Sequence, residues 1–320
     1  SLAVGFNHPH FDAQDVKDEI VSVAKTKVAN SDVYSKPYVE FVEAMHRVMG
    51  IPGLTRYSFV EGGSLAVENA VKAAIDWKVR KNVAAGLGER GTKIVHFENA
   101  FHGRSGYSLS LTNTDPNKTL YFPKLDWPRL KAPHLLPTDD NEGREQAAIG
   151  ALRKCFESEH LDIAAVIIEP IQGEGGDNHF SREWISALRT CCDTYDALLI
   201  FDEVQTGWGT TGTRWACEHH GVTPDLLVFG KKAQACGVMA GPRLDEVKDN
   251  CFRLSGRINS TWGGNLVDMV RSKHNLVIIE SEKLLDNARN VGETLVSGLR
   301  SIPGVSNVRG RGDRKSTRLN

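Results

Sequence analysis

The sequence predicts an α/β fold in which a mostly parallel central sheet is flanked by helices and followed by an incomplete small C-terminal domain. Four short apolar runs, bounded by polar, glycine or proline residues, alternate with longer segments of helical composition. Short apolar runs rich in β-branched residues are typical of strands buried on both faces of a parallel sheet. Their alternation with helices predicts the layered α/β architecture.

The individual elements follow from local periodicity and from breaks in it. The predicted strands are residues 93–97, 164–168, 197–201 and 226–229. Apolar residues near helical spacing predict a helix at 64–79, and composition predicts helices at 144–159 and 182–194. A long helical stretch from Leu266 to about Leu299 ends at the Pro303–Gly304 break and begins the small domain.

We divide the chain into a remnant of an N-terminal segment, a large domain and part of a small domain, at residues 1–35, 36–265 and 266–312. The last eight residues, 313–320, read DRKSTRLN, which is the translation of a common sequencing adapter. We therefore expect 313–320 to be foreign to the protein and the chain to be a fragment of a longer one.

Composition and net charge argue against several classes of binding partner. The chain has 320 residues, 40% of them hydrophobic, which is enough material for one large domain and a smaller one. A net charge of −1 predicts no nucleic-acid partner, and no apolar run approaches the roughly 20 residues that span a bilayer. The six cysteines form no CxxC pair, which predicts reduced thiols in a cytoplasmic enzyme. Adjacent histidines lack further ligands at useful spacing, so no metal is expected.

Charged residues follow three of the predicted strands. Glu169 follows the second strand, Asp202 the third, and Lys231 with Lys232 the fourth. Ligands of open α/β sheets bind at the carboxyl ends of the strands. An amine and a carboxylate at that edge suit pyridoxal phosphate (PLP), because the amine forms an imine and the carboxylate keeps the pyridine nitrogen protonated. A single strand-end charge more often meets only water, so the prediction depends on the combination.

Two further segments support a cofactor site. Gly62-Gly63-Ser64 begins a predicted helix, where backbone N–H groups bind anions such as a phosphate, although the same residues also suit a plain helix cap. Phe101 can stack on an aromatic ring and Arg104 can bind a carboxylate, although a core aromatic and a surface charge are the simpler interpretation. A GxGxxG pattern at 86–91 has a helix before it and a strand after it, which is the reverse of a dinucleotide site, and predicts a loop.

With these motifs in place, the chain resembles the class III (ω-amino) aminotransferases of PLP-transferase fold type I. The motifs IIEPIQGEGG, IFDEVQTG, PDLLVFGKK and VRGRG carry the resemblance, at 167–176, 200–207, 224–232 and 308–312. FVEGGSLAVENAVKAA at 59–74 and NSTWGGN at 259–265 resemble the members of that family that use lysine as the amino donor.

The resemblance implies a set of cofactor-binding residues. Lys231 would carry PLP as a Schiff base and move the proton, and Asp202 would pair with the pyridine nitrogen. Counting along the strand from Pro224 favours Lys231, whereas counting backward from Gly237 favours the adjacent Lys232. Phe101 and Val204 would contact the two faces of the ring, and Gln205 its phenolic oxygen. Gly63 and Ser64 would hold the phosphate, together with Thr261 of the partner subunit. His102 and Glu169 are the other implied cofactor-binding residues.

The resemblance also implies the substrates. Arg104 would bind the α-carboxylate of L-lysine, and Glu174 would pair with Arg309 in one half-reaction and release it for 2-oxoglutarate in the other. The expected enzyme is a cytoplasmic homodimer with shared active sites. The alternatives are a 4-aminobutyrate or ornithine donor, a PLP-binding homologue without turnover, and a nicotinamide enzyme, against which the reversed glycine pattern counts.

Overall fold

The computed structural model describes residues 8–26, 33–137 and 140–319, with the backbone alone from residue 314 onward. In chain order its strands are β1 Arg56–Phe59, β2 Lys93–Phe97, β3 Arg129–Leu130, β4 Ile163–Ile168, β5 Ile171–Gln172, β6 Asn178–His179, β7 Leu198–Asp202, β8 Leu226–Phe229, β9 Gly237–Ala240, β10 Val305–Arg311 and β11 Arg314–Leu319. The helices are α1 Gln14–Ala24, α2 Lys36–Met49, α3 Gly63–Ala84, α4 Gly106–Leu111, α5 Asn141–Glu159, α6 Arg182–Thr194, α7 Leu266–Ser281 and α8 Leu284–Arg300.

Seven strands form the central sheet in the order β1-β9-β8-β7-β4-β2-β3. Neighbouring strands are parallel from β8 to β3, whereas β9 is antiparallel to both β8 and β1. The predicted mostly parallel sheet is therefore confirmed. Since β4, β7 and β8 run in the same direction, the residues that follow them meet at one edge of the sheet.

Helices cover both faces of the sheet because side chains alternate along each strand. On β7, Leu199 and Phe201 face the core that contains α5 and α6, whereas Leu198 and Ile200 face the core beneath α3. All six residues of β4 are buried. Burial on both faces explains why these strands are uninterrupted apolar runs in the sequence.

Most predicted elements are confirmed, but one is wrong and several observed elements were not predicted. The predicted strands correspond to β2, β4, β7 and β8, and the helices to α3, α5 and α6. The long C-terminal helix is wrong as a single element, because it breaks between Ser281 and Leu284, where Lys283 has a φ of 52°. The strands β1, β3, β5, β6, β9, β10 and β11 and the helices α1, α2 and α4 were not predicted. β1 and β9 pair antiparallel over a long range, which local periodicity does not encode.

Several other predictions concern loops and termini. The GxGxxG segment at 86–91 is a loop, as predicted. The proposed domain boundaries stay a prediction, and 1–7 and 27–32 lie outside the described residues. β11 falls within 313–320 and pairs with β10. Backbone hydrogen bonds do not depend on side-chain identity, so this pairing does not bear on the origin of that segment.

Among the described residues, no helix is long and apolar enough to cross a membrane, and all six cysteines are free thiols.

Candidate active site

Lys231 stands at the carboxyl end of β8 in a single turn of 3-10 helix that begins directly after Gly230. Its φ of 52° is left-handed, a conformation that costs energy for a lysine and that tends to occur at functional sites. The neighbouring ammonium of Lys232 donates a hydrogen bond to the Gln205 carbonyl. Across the described part of the chain, the exposed side chain of Lys231 has no hydrogen-bonding or ionic partner, so its amine is available to a ligand.

Asp202 ends β7, the strand beside β8, and its side chain is almost fully buried. One carboxylate oxygen, Oδ2, lies 2.8 Å from Nδ1 of His102, and Oδ1 accepts the backbone N–H of Val204 at 3.1 Å. The residue is 4% exposed. Buried carboxylates are normally held by such hydrogen bonds, which also fix the direction in which the remaining lone pairs point. Nε2 of His102 is buried without a hydrogen-bond partner.

Glu169 follows β4 and is a second buried carboxylate in the same region. Its two oxygens accept backbone N–H groups from Phe101 at 2.9 Å and from Gly173 at 3.1 Å. Burial raises the pKa of the Glu169 carboxyl to about 7, while His102 acts to lower this pKa and Asp202 to raise it. Glu169 thus joins the segment of Phe101 to the loop that carries Glu174.

The start of α3 forms a polar cup. Gly62 has a φ of 104°, which glycine adopts readily, and α3 begins at Gly63. A Cβ at Gly63 would come within 2.9 Å of the Val204 side chain, so only glycine allows this close approach. Ser64 Oγ lies 2.7 Å and 2.6 Å from the hydroxyls of Ser105 and Ser108. Hydroxyls and helix-start N–H groups together suit an anion.

Phe101 is bordered by two cations. The guanidinium carbon of Arg104 lies 5.8 Å from the centroid of the Phe101 ring, and the ammonium of Lys118 lies 5.6 Å from it. Both distances are within the range of cation–π contacts. Arg104 is exposed, so its guanidinium can reach a ligand carboxylate. Lys118 was not predicted, since it belongs to a loop without a recognisable local pattern.

The expected Glu174–Arg309 pair is not formed in this structure. Glu174 forms an ion pair with Lys118 instead. The Arg309 guanidinium donates to the backbone carbonyls of Asp177 and Gly176, at 2.8 Å and 2.5 Å. Both contacts lie in the loop that follows β5, so Arg309 and Glu174 remain neighbours along that loop without meeting.

Two of the predicted residues have no contact that defines a role. Gln205 is half-buried, and its backbone carbonyl is held by Lys232. Thr261 is exposed, next to Trp262, whose exposed fraction is 58%. The part of the chain that the structure describes contains no group of three or more His, Cys, Asp or Glu side chains that could hold a metal ion.

The family match and the relatives of similar sequence are all aminotransferases. The family described as "Aminotransferase class-III" matches residues 1–316. The L-lysine-epsilon aminotransferase of Mycobacterium tuberculosis H37Rv is 51% identical over 322 residues, which cover 98% of this chain and 72% of the relative. The 4-aminobutyrate aminotransferase GabT of Escherichia coli is 34% identical, covering 87% of this chain and 63% of the relative.

A solved structure agrees with the sequence comparison. The lysine aminotransferase from M. tuberculosis in the internal aldimine form superposes with a TM-score of 0.92 at 51% identity. The match covers 95% of this chain and 72% of that one. The similarity therefore extends over most of this chain.

Proposed function

The chain belongs to the class III aminotransferases, and from this premise we propose that it transfers the ε-amino group of L-lysine to 2-oxoglutarate with PLP as cofactor. The products are 2-aminoadipate 6-semialdehyde and L-glutamate. The observation that carries the proposal is that Lys231, whose amine has no partner among the described residues, follows β8, and that the neighbouring parallel strand β7 ends in the buried carboxylate of Asp202. The chain is also 51% identical to an L-lysine-epsilon aminotransferase.

The described residues fit PLP by the chemistry of their groups. Lys231 offers an amine for the aldehyde, and Asp202 offers a carboxylate for the pyridine nitrogen. The glycine and hydroxyl cup at Gly63 and Ser64 suits the phosphate. Phe101 offers an aromatic face beside Glu169, which fixes its backbone.

PLP, when bound, supplies an aldehyde and a pyridine ring that withdraws electrons from the reacting carbon. Lys231 holds the cofactor and then, as a free amine, removes and returns the proton at the lysine carbon that bears the ε-amino group. Asp202 keeps a proton on the pyridine nitrogen, and His102 orients Asp202. The hydrogen bond from the Lys232 ammonium to the Gln205 carbonyl stabilises the backbone at Gln205.

Arg104 sets the donor's orientation in this proposal. A guanidinium binds a carboxylate through two parallel hydrogen bonds, so Arg104 would bind the α-carboxylate of lysine and leave the distant amine at the reacting centre. A donor with its carboxylate far from the amine is thereby favoured, and lysine, 4-aminobutyrate and ornithine all meet that condition. The higher identity to the L-lysine-epsilon aminotransferase than to GabT supports lysine among them.

We also propose a C2 homodimer in which each subunit completes the other's site. Thr261 is exposed beside Trp262, and the aromatic side chains of Tyr121 and Phe122 are 93% and 56% exposed. Large exposed aromatic side chains commonly mark protein interfaces. On this proposal, Thr261 of the partner subunit binds the phosphate held by Ser64.

An amine-donor panel tests the proposed reaction. With 2-oxoglutarate as acceptor, glutamate formation is measured with lysine, ornithine and 4-aminobutyrate, and Lys231→Ala gives the background rate. We expect kcat/KM for lysine to exceed the other two by at least about tenfold, roughly 1.4 kcal/mol in transition-state binding. Preference for ornithine or 4-aminobutyrate would reject the lysine assignment while keeping the class.

A further inference from the structure

Lys118 is the residue of the site that neither the motifs nor the resemblance assigns a role. It ends a 3-10 turn at Pro116–Lys118, which Asp115 caps through the Asn117 N–H. Its ammonium pairs with the Glu174 carboxylate and lies 3.3 Å from the Thr114 hydroxyl. The two side chains of the ion pair are only 20% and 29% exposed, so the pair is shielded from solvent more than a surface salt bridge.

The Lys118–Glu174 ion pair changes the balance of charge around the Phe101 ring. Arg104 and Lys118 both lie within 6 Å of the ring centroid, and Glu174 is attached to Lys118. Over the described residues, Lys118 is the cation that Glu174 contacts, and Arg309 is bound to neutral backbone carbonyls. Lys118 therefore neutralises the acid, and the Arg309 guanidinium remains without a carboxylate partner.

A transaminase of this kind meets two chemically different substrates in one place. Lysine brings one carboxylate and a second ammonium, whereas 2-oxoglutarate brings two carboxylates. An unpaired Glu174 beside the ring would attract the extra ammonium and repel the second carboxylate, because like charges within a few ångströms oppose binding. A cation that neutralises Glu174 removes that repulsion. Only the dicarboxylate gains from this, because lysine has no second carboxylate.

We propose that Lys118 is a positioning residue for acceptor specificity: it holds Glu174 as an ion pair so that the second carboxylate of the acceptor can bind. This inference rests on the proposed lysine and 2-oxoglutarate reaction. Lys118 acts through Glu174 and takes no part in proton transfer. Its loss should therefore weaken binding of the acceptor and leave the chemistry of the donor half-reaction intact.

The test measures the lysine half-reaction with the PLP form of the protein and the 2-oxoglutarate half-reaction with the pyridoxamine phosphate form. Lys118→Met keeps the apolar stem and removes the charge. Single-turnover measurements should show the apparent Kd for 2-oxoglutarate raised about tenfold, equivalent to about 1.4 kcal/mol, with the lysine half-reaction changed by less than about threefold. Calorimetric binding of glutarate, a dicarboxylate without the keto group, should weaken by the same factor. Lys118→Arg should restore both values.

A double variant and a matched control complete the design. In Lys118→Met/Glu174→Gln the uncompensated acid is gone, so acceptor affinity should return to that of Glu174→Gln alone. Lys124→Met removes another lysine of the same segment, whose ammonium donates to the Thr119 and Phe122 carbonyls, and should change neither half-reaction.

The outcomes distinguish this inference from the proposed function. If the wild-type protein does not convert lysine and 2-oxoglutarate, the proposed function fails. If it does, but Lys118→Met leaves glutarate and 2-oxoglutarate affinity unchanged or slows both half-reactions equally, the role of Lys118 is overturned. A double variant no better than Lys118→Met would also overturn it, because the effect would not pass through Glu174.

Discussion

At the scale of single residues, the site depends on buried charges that are held by specific hydrogen bonds. Strand ends in the sequence predicted Glu169, Asp202 and Lys231, since parallel strands deliver their last residues to one edge. Sequence counting left Lys231 and Lys232 as alternatives, and the Lys232 contact to Gln205 supports the first. The Lys118–Glu174 pair joins loops 56 positions apart, and no local pattern encodes a contact of that kind.

Glu169 gives a pH dependence with a defined sign. Its folded-state pKa is raised to about 7 from an ordinary value of 4.5, so the folded protein prefers the neutral carboxyl. The stabilisation is full below about pH 4.5 and is lost as the pH rises through 7, on the order of 3 kcal/mol from this group. Glu169→Gln should abolish that loss.

Urea unfolding of the apoprotein measures this effect, at one protein concentration, at pH 5 and at pH 8. The free energy of unfolding of the wild type should fall relative to Glu169→Gln between the two pH values. Glu157→Gln, at an exposed position on α5, serves as control and should follow the wild type. A constant difference between wild type and Glu169→Gln would show that the buried carboxyl does not titrate in this interval.

At the scale of elements, sequence prediction succeeded where burial imposes a pattern. β2, β8 and α6 have the predicted bounds, because a strand between two helical layers is continuously apolar and the helical composition of α6 distinguishes it from such strands. The break between α7 and α8 was missed since neither glycine nor proline marks it, and Lys283 adopts a left-handed conformation instead. The β1–β9 pairing was missed because it joins distant segments.

The segment between β2 and α4 carries a prediction about the donor. Arg104 is exposed two residues before α4 begins, and its backbone N–H donates to Ser64 Oγ at 3.2 Å. Arg104→Ala should raise KM for lysine with little change in the 2-oxoglutarate half-reaction, because a charge-assisted bidentate contact contributes about 1.5–3 kcal/mol. Single-turnover kinetics with each substrate provide the measurement, and equal losses with both would mean that Arg104 serves both acids.

At the scale of the whole molecule, we expect the site to need two chains. Light scattering on the full-length protein should give twice the mass of one subunit. Trp262→Glu should shift the equilibrium toward monomer and weaken PLP binding, because the charge would enter the proposed interface. Val291→Glu, which places the same charge on an exposed apolar residue of α8, should remain dimeric. A monomer that retains PLP and full activity would contradict the shared site.

Borohydride trapping determines whether Lys231 is the lysine to which PLP is attached. The purified PLP-loaded protein is reduced with sodium borohydride and digested, and tandem mass spectrometry locates the phosphopyridoxyl group. We expect the group on Lys231, with Lys232 unmodified, and no trapped group in Lys231→Ala. Modification of Lys232 in place of Lys231 would contradict the assignment, and modification of neither lysine would contradict the aminotransferase account of this site.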